Sequence, residues 1–448
     1  MMNAGMIHST GSIYRESRSL SSLSFDPRRL LQGLLLVLVF LFFSVQGTFS
    51  FEGGEHTAAS EKGGTLIAVE SNVETGRASN FAWVGVVVIL LAVRAKKVFV
   101  AAKSMPTITC LACLPVISAA WSEDPALSFR RGLFLLLSTL LAYYFFEEYR
   151  PREQIRLISV VGFIAAFGSI AVALLFPQYG QDNMVHSGAW QGIYTHKNVC
   201  ASAMLLFIAP ILGVDPGERR SLWAFYWLML TFLLIMTRSR SGWVVAIMLL
   251  VFAGALKLIG RFKNKDRNVV VLVSSVFALG CGWIVALEFD RILSLLGRDA
   301  TLSGRTLIWS AVFDAIAKRP FLGYGYAAFW SGLRGPSANI ILTLGWAVPH
   351  AHNGLLDVWL QLGGLGVGLF CLSLLGAVRD MLTCFRPGRP AYIDWYIATV
   401  ALVIFFSISE PFILEDRSMN WVLYVVACIN LRYVAAALRK GKSLDTAS

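Results

Sequence analysis

The hexapeptide TRSRSG, residues 237–242, cuts a run of about forty otherwise almost wholly apolar residues. One helix needs only about 20 such residues to cross the hydrocarbon of a bilayer, so the run holds two spans and the hexapeptide turns the chain between them. Arg238 and Arg240 therefore stand at a membrane boundary, and the rest of the chain decides which one.

Of the 448 residues, 56% are hydrophobic, 12% aromatic and only 15% charged, a balance too apolar for a soluble domain. The expected fold class is all-α, a polytopic membrane protein of about 12 transmembrane helices, because an open sheet in lipid leaves backbone groups unpaired. Candidate spans lie near 30–50, 81–93, 106–120, 132–146, 155–176, 199–213, 221–236, 241–260, 268–287, 354–377, 393–409 and 420–437. With the amino terminus inside, the loops RAKK (94–97), EEYRPREQIR (147–156), VDPGERR (214–220), RFKNKDR (261–267) and RDMLTCFRPGRP (379–390) are cytoplasmic. Each is rich in Lys or Arg, as the positive-inside rule asks. The net charge of +12 is then a topological signal and gives no reason to invoke nucleic acid. The same count puts TRSRSG outside.

Residues 1–29 read as a disordered basic cytoplasmic tail, 30–437 as the transmembrane domain and 438–448 as a second cytoplasmic tail. Segment 30–50 is long and lacks a small-x-small cleavage site, so it reads as an uncleaved anchor rather than a signal peptide. The polar, Gly-rich stretch 51–80 follows it outside. The cysteines lie in or beside apolar spans or in an inside loop and form no external disulfide framework.

Chemistry belongs in the outer segments. The largest is an outer loop, 289–351, between spans nine and ten. Within it, Ser303 is an N-cap candidate, and Leu307, Ile308, Ala311, Val312, Ala315 and Ile316 recur at helical spacing, predicting an amphipathic helix along the membrane face. Pro320 and the Gly-Tyr-Gly that follows end it. A lone arginine at a helix end snorkels to lipid phosphate. Here Arg238, Arg240 and Arg305, with Lys197, all fall at the outer rim against the orientation bias, and clustered guanidinium groups make a socket for phosphate or diphosphate.

Four histidines, His186, His196, His350 and His352, also lie outside. The His-x-His pair suggests a metal, but no outer cluster of Cys or carboxylates completes a ligand set, and Asp357 points one turn into its span. The preferred reading needs no metal and no cofactor: a neutral imidazole takes a proton from a hydroxyl while arginines hold an anionic leaving group. Trp190, Tyr194, Trp330 and Trp346 read as interfacial anchors ahead of sugar-stacking platforms. Gly364 and Gly368 have the small-xxx-small spacing of close helix packing.

HNGLLDVWLQLGGLG (352–366), with His-Asn followed by Gly363 and Gly366, resembles the signature of the O-antigen ligase and polysaccharide polymerase superfamily. WSEDPALSFRRGL (121–133), YTHKN (194–198), TRSRSG and GRTLIW (304–309) are similar to its other blocks in order, over roughly residues 105–430, and WSEDP with HKN resembles the ExoQ-type exopolysaccharide polymerases. The resemblance implies a metal-independent glycosyltransferase on the outer face of a bacterial inner membrane. Its donor is a sugar chain on a polyprenyl diphosphate, and its other partners are membrane lipid and polysaccharide export proteins. It implies that Arg240 and Arg305 engage the diphosphate and that His352 is the base. Arg238 supports them, Lys197, His196 and Asn198 contact the donor, and Asn353 orients the histidine. A ligase that transfers a finished chain to lipid A core stays open beside the polymerase. A transporter or flippase of the lipid-linked sugar is disfavoured by the lack of an internal repeat and of mid-span charges.

Overall fold

The computed structural model describes residues 27–45, 75–182, 188–214, 220–259, 305–344, 348–386 and 388–441. The chain runs through α1 (Pro27–Val45), α2 (Thr75–Val93), α3 (Ala95–Ser104), α4 (Pro106–Ile117), α5 (Pro125–Glu148), α6 (Pro151–Leu175) and the single turn α7 (Pro177–Gly180). It continues through α8 (Lys197–Ile208), α9 (Arg220–Met236), α10 (Arg240–Ile259), α11 (Arg305–Lys318) and α12 (Ala338–Leu344). The last helices are α13 (Gly354–Cys384), α14 (Ala391–Ser407) and α15 (Met419–Arg439). A two-residue antiparallel pair, Gln181–Asp182 with Ala189–Trp190, is the strand structure among the described residues. Proline opens α4, α5 and α6, where its missing N–H has no helical partner to lose.

The fold is that of an all-α, multi-pass membrane protein. Among the described residues, six helices are long and apolar enough to cross a bilayer, and a seventh span forms if the α3–α4 pair, bent by 105°, is one broken crossing. Shorter apolar helices lie within α2, α8–Gly213, α9 and α14. Each expected span coincides with a helix except 268–287, which lies outside the described residues, as do residues 1–26 of the amino-terminal tail, His186, Ser303 and Trp346.

Helix α15 is the axis of the bundle: 78% of its most apolar window is buried, against 28–44% for the other long spans. In lipid, apolar contact alone does not drive helices together, so polar ties carry weight. Trp421 Nε1 donates to Thr139 Oγ1 at 2.8 Å, Tyr424 and Ser373 share a 2.8 Å hydroxyl bond, and Gln154 Oε1 accepts from Tyr396 at 2.8 Å. At the end expected to face the cytoplasm, ion pairs join Arg29 to Glu153, Arg94 to Glu148, Arg389 to Asp394 and Arg439 to Asp380, all within 2.6–2.7 Å.

Helix α13 is broken at Gly363, whose φ of 64° and ψ of −167° leave the helical region. Segment 320–327 is threaded into the break. Pro320 O and Phe321 O accept from Gly364 N (2.8 Å) and Leu365 N (3.2 Å), while Tyr324 N and Gly325 N donate to Leu360 O (2.8 Å) and Gln361 O (2.9 Å). The inserted segment thus takes up the backbone groups that the break exposes, which a membrane-embedded helix cannot leave unpaired. A Cβ on Gly363 would sit 2.2 Å from Phe321 C and O, so only glycine fits. The WSEDP block grips the same segment from the other side. Trp121 Nε1 donates to Leu322 O (2.9 Å), Glu123 N to Tyr324 O (3.0 Å) and Ser128 Oγ to Tyr326 O (2.6 Å), and Arg319 pairs with Glu123.

Among the described residues nothing lies within 4 Å of a Cβ built on Gly368, while a Cβ on Gly364 would stand 3.3 Å from Pro320 O. One reading from sequence is corrected here: Trp190 and Tyr194 are not interfacial anchors, since Trp190 is buried edge-on against Phe232 and Tyr194 is buried with its hydroxyl 2.9 Å from Ser44 Oγ, while the half-buried Trp330 donates its Nε1 to Asp357 Oδ1 at 2.6 Å. Helix α11 ends at Lys318, just before Pro320, as its sequence predicts. Its Ile308, Val312, Ala315 and Ile316 face a second small core with Tyr324, Phe329, Ile340 and Leu360, while Leu307 points outward, 63% exposed.

Candidate functional site

TRSRSG folds as a tight link between α9 and α10 whose residues alternate in and out. Thr237 and Ser239 are fully buried, and Arg238 and Arg240 are exposed. Thr237 Oγ1 donates to Leu234 O (2.6 Å) and accepts from Ser239 N (3.2 Å), closing α9. Ser239 Oγ accepts from Gly242 N (3.1 Å), capping α10. A Cβ on Gly242 would meet Ala201 Cβ at 2.6 Å, so the start of α10 lies hard against α8. Arg238 has φ 49°, a left-handed conformation that a branched, bulky residue adopts only when its surroundings impose it. The guanidinium of Arg238 packs over Gly188, 3.4 Å from the position of a Cβ there.

Helix α8 supplies the next layer. His196 caps it, its Nδ1 accepting from Asn198 N at 3.2 Å. Lys197 is within electrostatic reach of Asp182, Arg240 and Arg238, which gathers three of the four predicted cations. Asn198 points inward as a connector: its Oδ1 accepts from Ser239 Oγ (2.9 Å) and its Nδ2 donates to Glu410 Oε1 (3.3 Å).

Glu410 ends the turn after α14, and sequence reading missed it. Its Oε2 lies 3.7 Å from His350 Nε2 and 3.9 Å from His352 Nδ1. The available signal was a carboxylate followed by proline at the end of an apolar span, on the same side of the membrane as His352.

The histidine pair is set by the start of α13. Asn353 Oδ1 accepts from Leu355 N (3.0 Å) and Leu356 N (3.1 Å), so its side-chain oxygen caps the helix rather than bonding the imidazole. Its effect on His352 is through the turn, where His352 holds φ 50°. Asp357 is buried and ties the same turn down, accepting from Ala351 N (3.1 Å) and Trp330 Nε1. Trp309 Nε1 donates to Ala351 O at 2.9 Å, which brings the first turns of α11 beside the His352 segment. Arg305 opens that helix, one turn before Trp309.

His350, His352 and Glu410 offer ligand atoms within 4.8 Å of one another, so a carboxylate does join the histidines, contrary to the expectation from sequence. His350 Nδ1 accepts from His352 N at 3.2 Å, and its Nε2 faces Glu410.

Motif blocks scattered over more than two hundred residues thus meet at one end of the helical bundle, and the comparisons fit that pattern. Residues 224–371 match the family model for O-antigen ligase. The chain is 24% identical over 332 residues to the exopolysaccharide production protein ExoQ of Rhizobium meliloti (strain 1021), an alignment covering 71% of this chain and 74% of that protein.

Proposed function

We propose that this protein is an inner-membrane glycosyltransferase that polymerises polyprenyl-diphosphate-linked oligosaccharide repeat units into exopolysaccharide, with its site facing the periplasm. The observation that carries the reading is the chain Ser239–Asn198–Glu410–His352, which joins the arginine turn to the histidine turn. Similarity to ExoQ favours the polymerase over the ligase.

In this reading an acceptor hydroxyl oxygen attacks the anomeric carbon of the donor. The carbon–oxygen bond to diphosphate breaks, the hydroxyl proton passes to His352, and the negative charge left on diphosphate is held by Arg240 and Arg305, with Arg238 and Lys197 in support. Glu410 beside His352 Nδ1 keeps the proton of the neutral ring on that side and leaves Nε2 as the base; at 3.9 Å the pair closes to a hydrogen bond on substrate binding. Attack opposite the leaving group inverts the anomeric centre. Cleavage of the activated donor drives the reaction without nucleotide, metal or cofactor, and the polyprenyl tail holds the donor at the rim by burying methylenes at about 0.8 kcal/mol each.

Deletion of the coding sequence followed by size analysis of surface polysaccharide tests the proposal. Short or absent polymer, with lipid-linked repeat units accumulating, is the expected result. Full-length polymer that fails to reach lipid A core instead identifies a ligase.

A further inference from the structure

At the end of the bundle opposite His352, the turn Ala209–Gly213, the start of α9, the end of α10 and the start of α14 enclose a cavity of about 510 Å³. That volume is typical of sites that bind small ligands, which run from about 300 to 1,000 Å³. Its walls are mainly apolar, with Leu212, Trp223 and Leu256 among them, and its charged members among the described residues are Arg220, Lys257 and Asp394. Asp394 is already paired to Arg389, outside the cavity lining, at 2.6 Å, which leaves Arg220 and Lys257 as the cations that line it among the described residues. Helices α9 and α10 carry the site-side residues Met236 and Arg240 at one end and Arg220 and Lys257 at the other, roughly 25 Å away at 1.5 Å per residue. No step of the proposed transfer uses this cavity.

The flanking helices turn apolar side chains outward beside it: Leu222, Phe225, Leu250 and Val251 are all more than half exposed. A lipid-facing cleft with an apolar interior and a cationic mouth matches one chemistry, a phosphate head on a hydrocarbon chain. We propose that the cavity binds an anionic phospholipid of the leaflet opposite the candidate active site. Its phosphate lies between Arg220 and Lys257, and one acyl chain runs along Leu212, Trp223 and Leu256.

The test uses the full-length protein in neutral detergent after delipidation, probed with phosphatidylglycerol, with phosphatidylcholine of the same acyl chains, and with inorganic phosphate. Native mass spectrometry and thermal melting are read together. Phosphatidylglycerol is expected to give a one-lipid adduct and raise the melting temperature by several degrees, while the other two probes do neither. Arg220→Gln with Lys257→Gln should abolish the adduct. Ala253→Leu, which fills the cleft and keeps both charges, should abolish it too and guards against loss of fold in the double variant. Equal binding of phosphatidylcholine, a shift produced by phosphate alone, or an adduct that survives both sets of substitutions overturns the proposal.

Discussion

Replacing Gly363 with alanine adds one methyl group at the break in α13, and the structure sets the cost. The backbone there has φ 64° and ψ −167°, open to glycine and strained for any other residue by about 1–3 kcal/mol. The new Cβ would stand 2.2 Å from Phe321 C and O and 2.4 Å from Leu322 N, all backbone atoms that cannot rotate away. Segment 320–327 must withdraw, which loosens the four backbone hydrogen bonds to Leu360, Gln361, Gly364 and Leu365. At about 1 kcal/mol net for each, these bring the total to roughly 5–7 kcal/mol. Gly368→Ala is the matched control: the same helix, the same added methyl, and open space around it. Thermal melting of both variants in detergent, beside polymer yield in cells, is the assay. Gly363→Ala should be poorly folded or melt far below the parent and make no polymer; Gly368→Ala should match the parent in both. A Gly363→Ala protein that melts with the parent would refute the account of the threaded break.

Three further outcomes are expected. Arg240→Ala should lower transfer from a lipid-linked donor roughly a hundredfold or more, the scale of a lost oxyanion donor, with Arg238→Ala milder; polymer made at the parent rate by the Arg240 variant removes the diphosphate grip. His352→Gln should abolish turnover, while Glu410→Gln should retain a residue of activity with an altered pH–rate profile, and an unchanged profile leaves Glu410 no part in positioning the imidazole. Glu415, in the turn between α14 and α15, has its carboxyl pushed up to about 7 by burial. The folded protein therefore binds more proton than the unfolded chain from about pH 4.5 to 7, and stability falls as pH rises through that window, by no more than about 3 kcal/mol. Glu415→Gln should raise the melting temperature at pH 8 and leave it unchanged at pH 4.5; equal effects at the two values would contradict the assignment.

What the sequence discloses follows from how local each signal is. Spans are legible because a run of apolar residues is forced to be helical in lipid, and TRSRSG is legible because two arginines cannot sit in hydrocarbon. The predicted Arg238, Arg240, Lys197, Asn198 and His352 do converge, because the turns that carry them share one end of the bundle. Glu410 was invisible because it becomes a partner of His352 only through the packing of α14 against its neighbours, 58 positions along the chain. The break at Gly363 was equally hidden: nothing in the apolar run marks it until the residues that thread it, Pro320 to Ala327, are placed beside it. Tyr194 was misread for a related reason, since it finds an internal hydrogen-bond partner that no spacing announces.

The threading of Pro320–Ala327 through α13 also limits how the protein can move. A stretch sewn into a span on one side and clasped by Trp121, Glu123 and Ser128 on the other is no swinging door. Any opening of the candidate site must hinge elsewhere, around a doorframe that stays fixed.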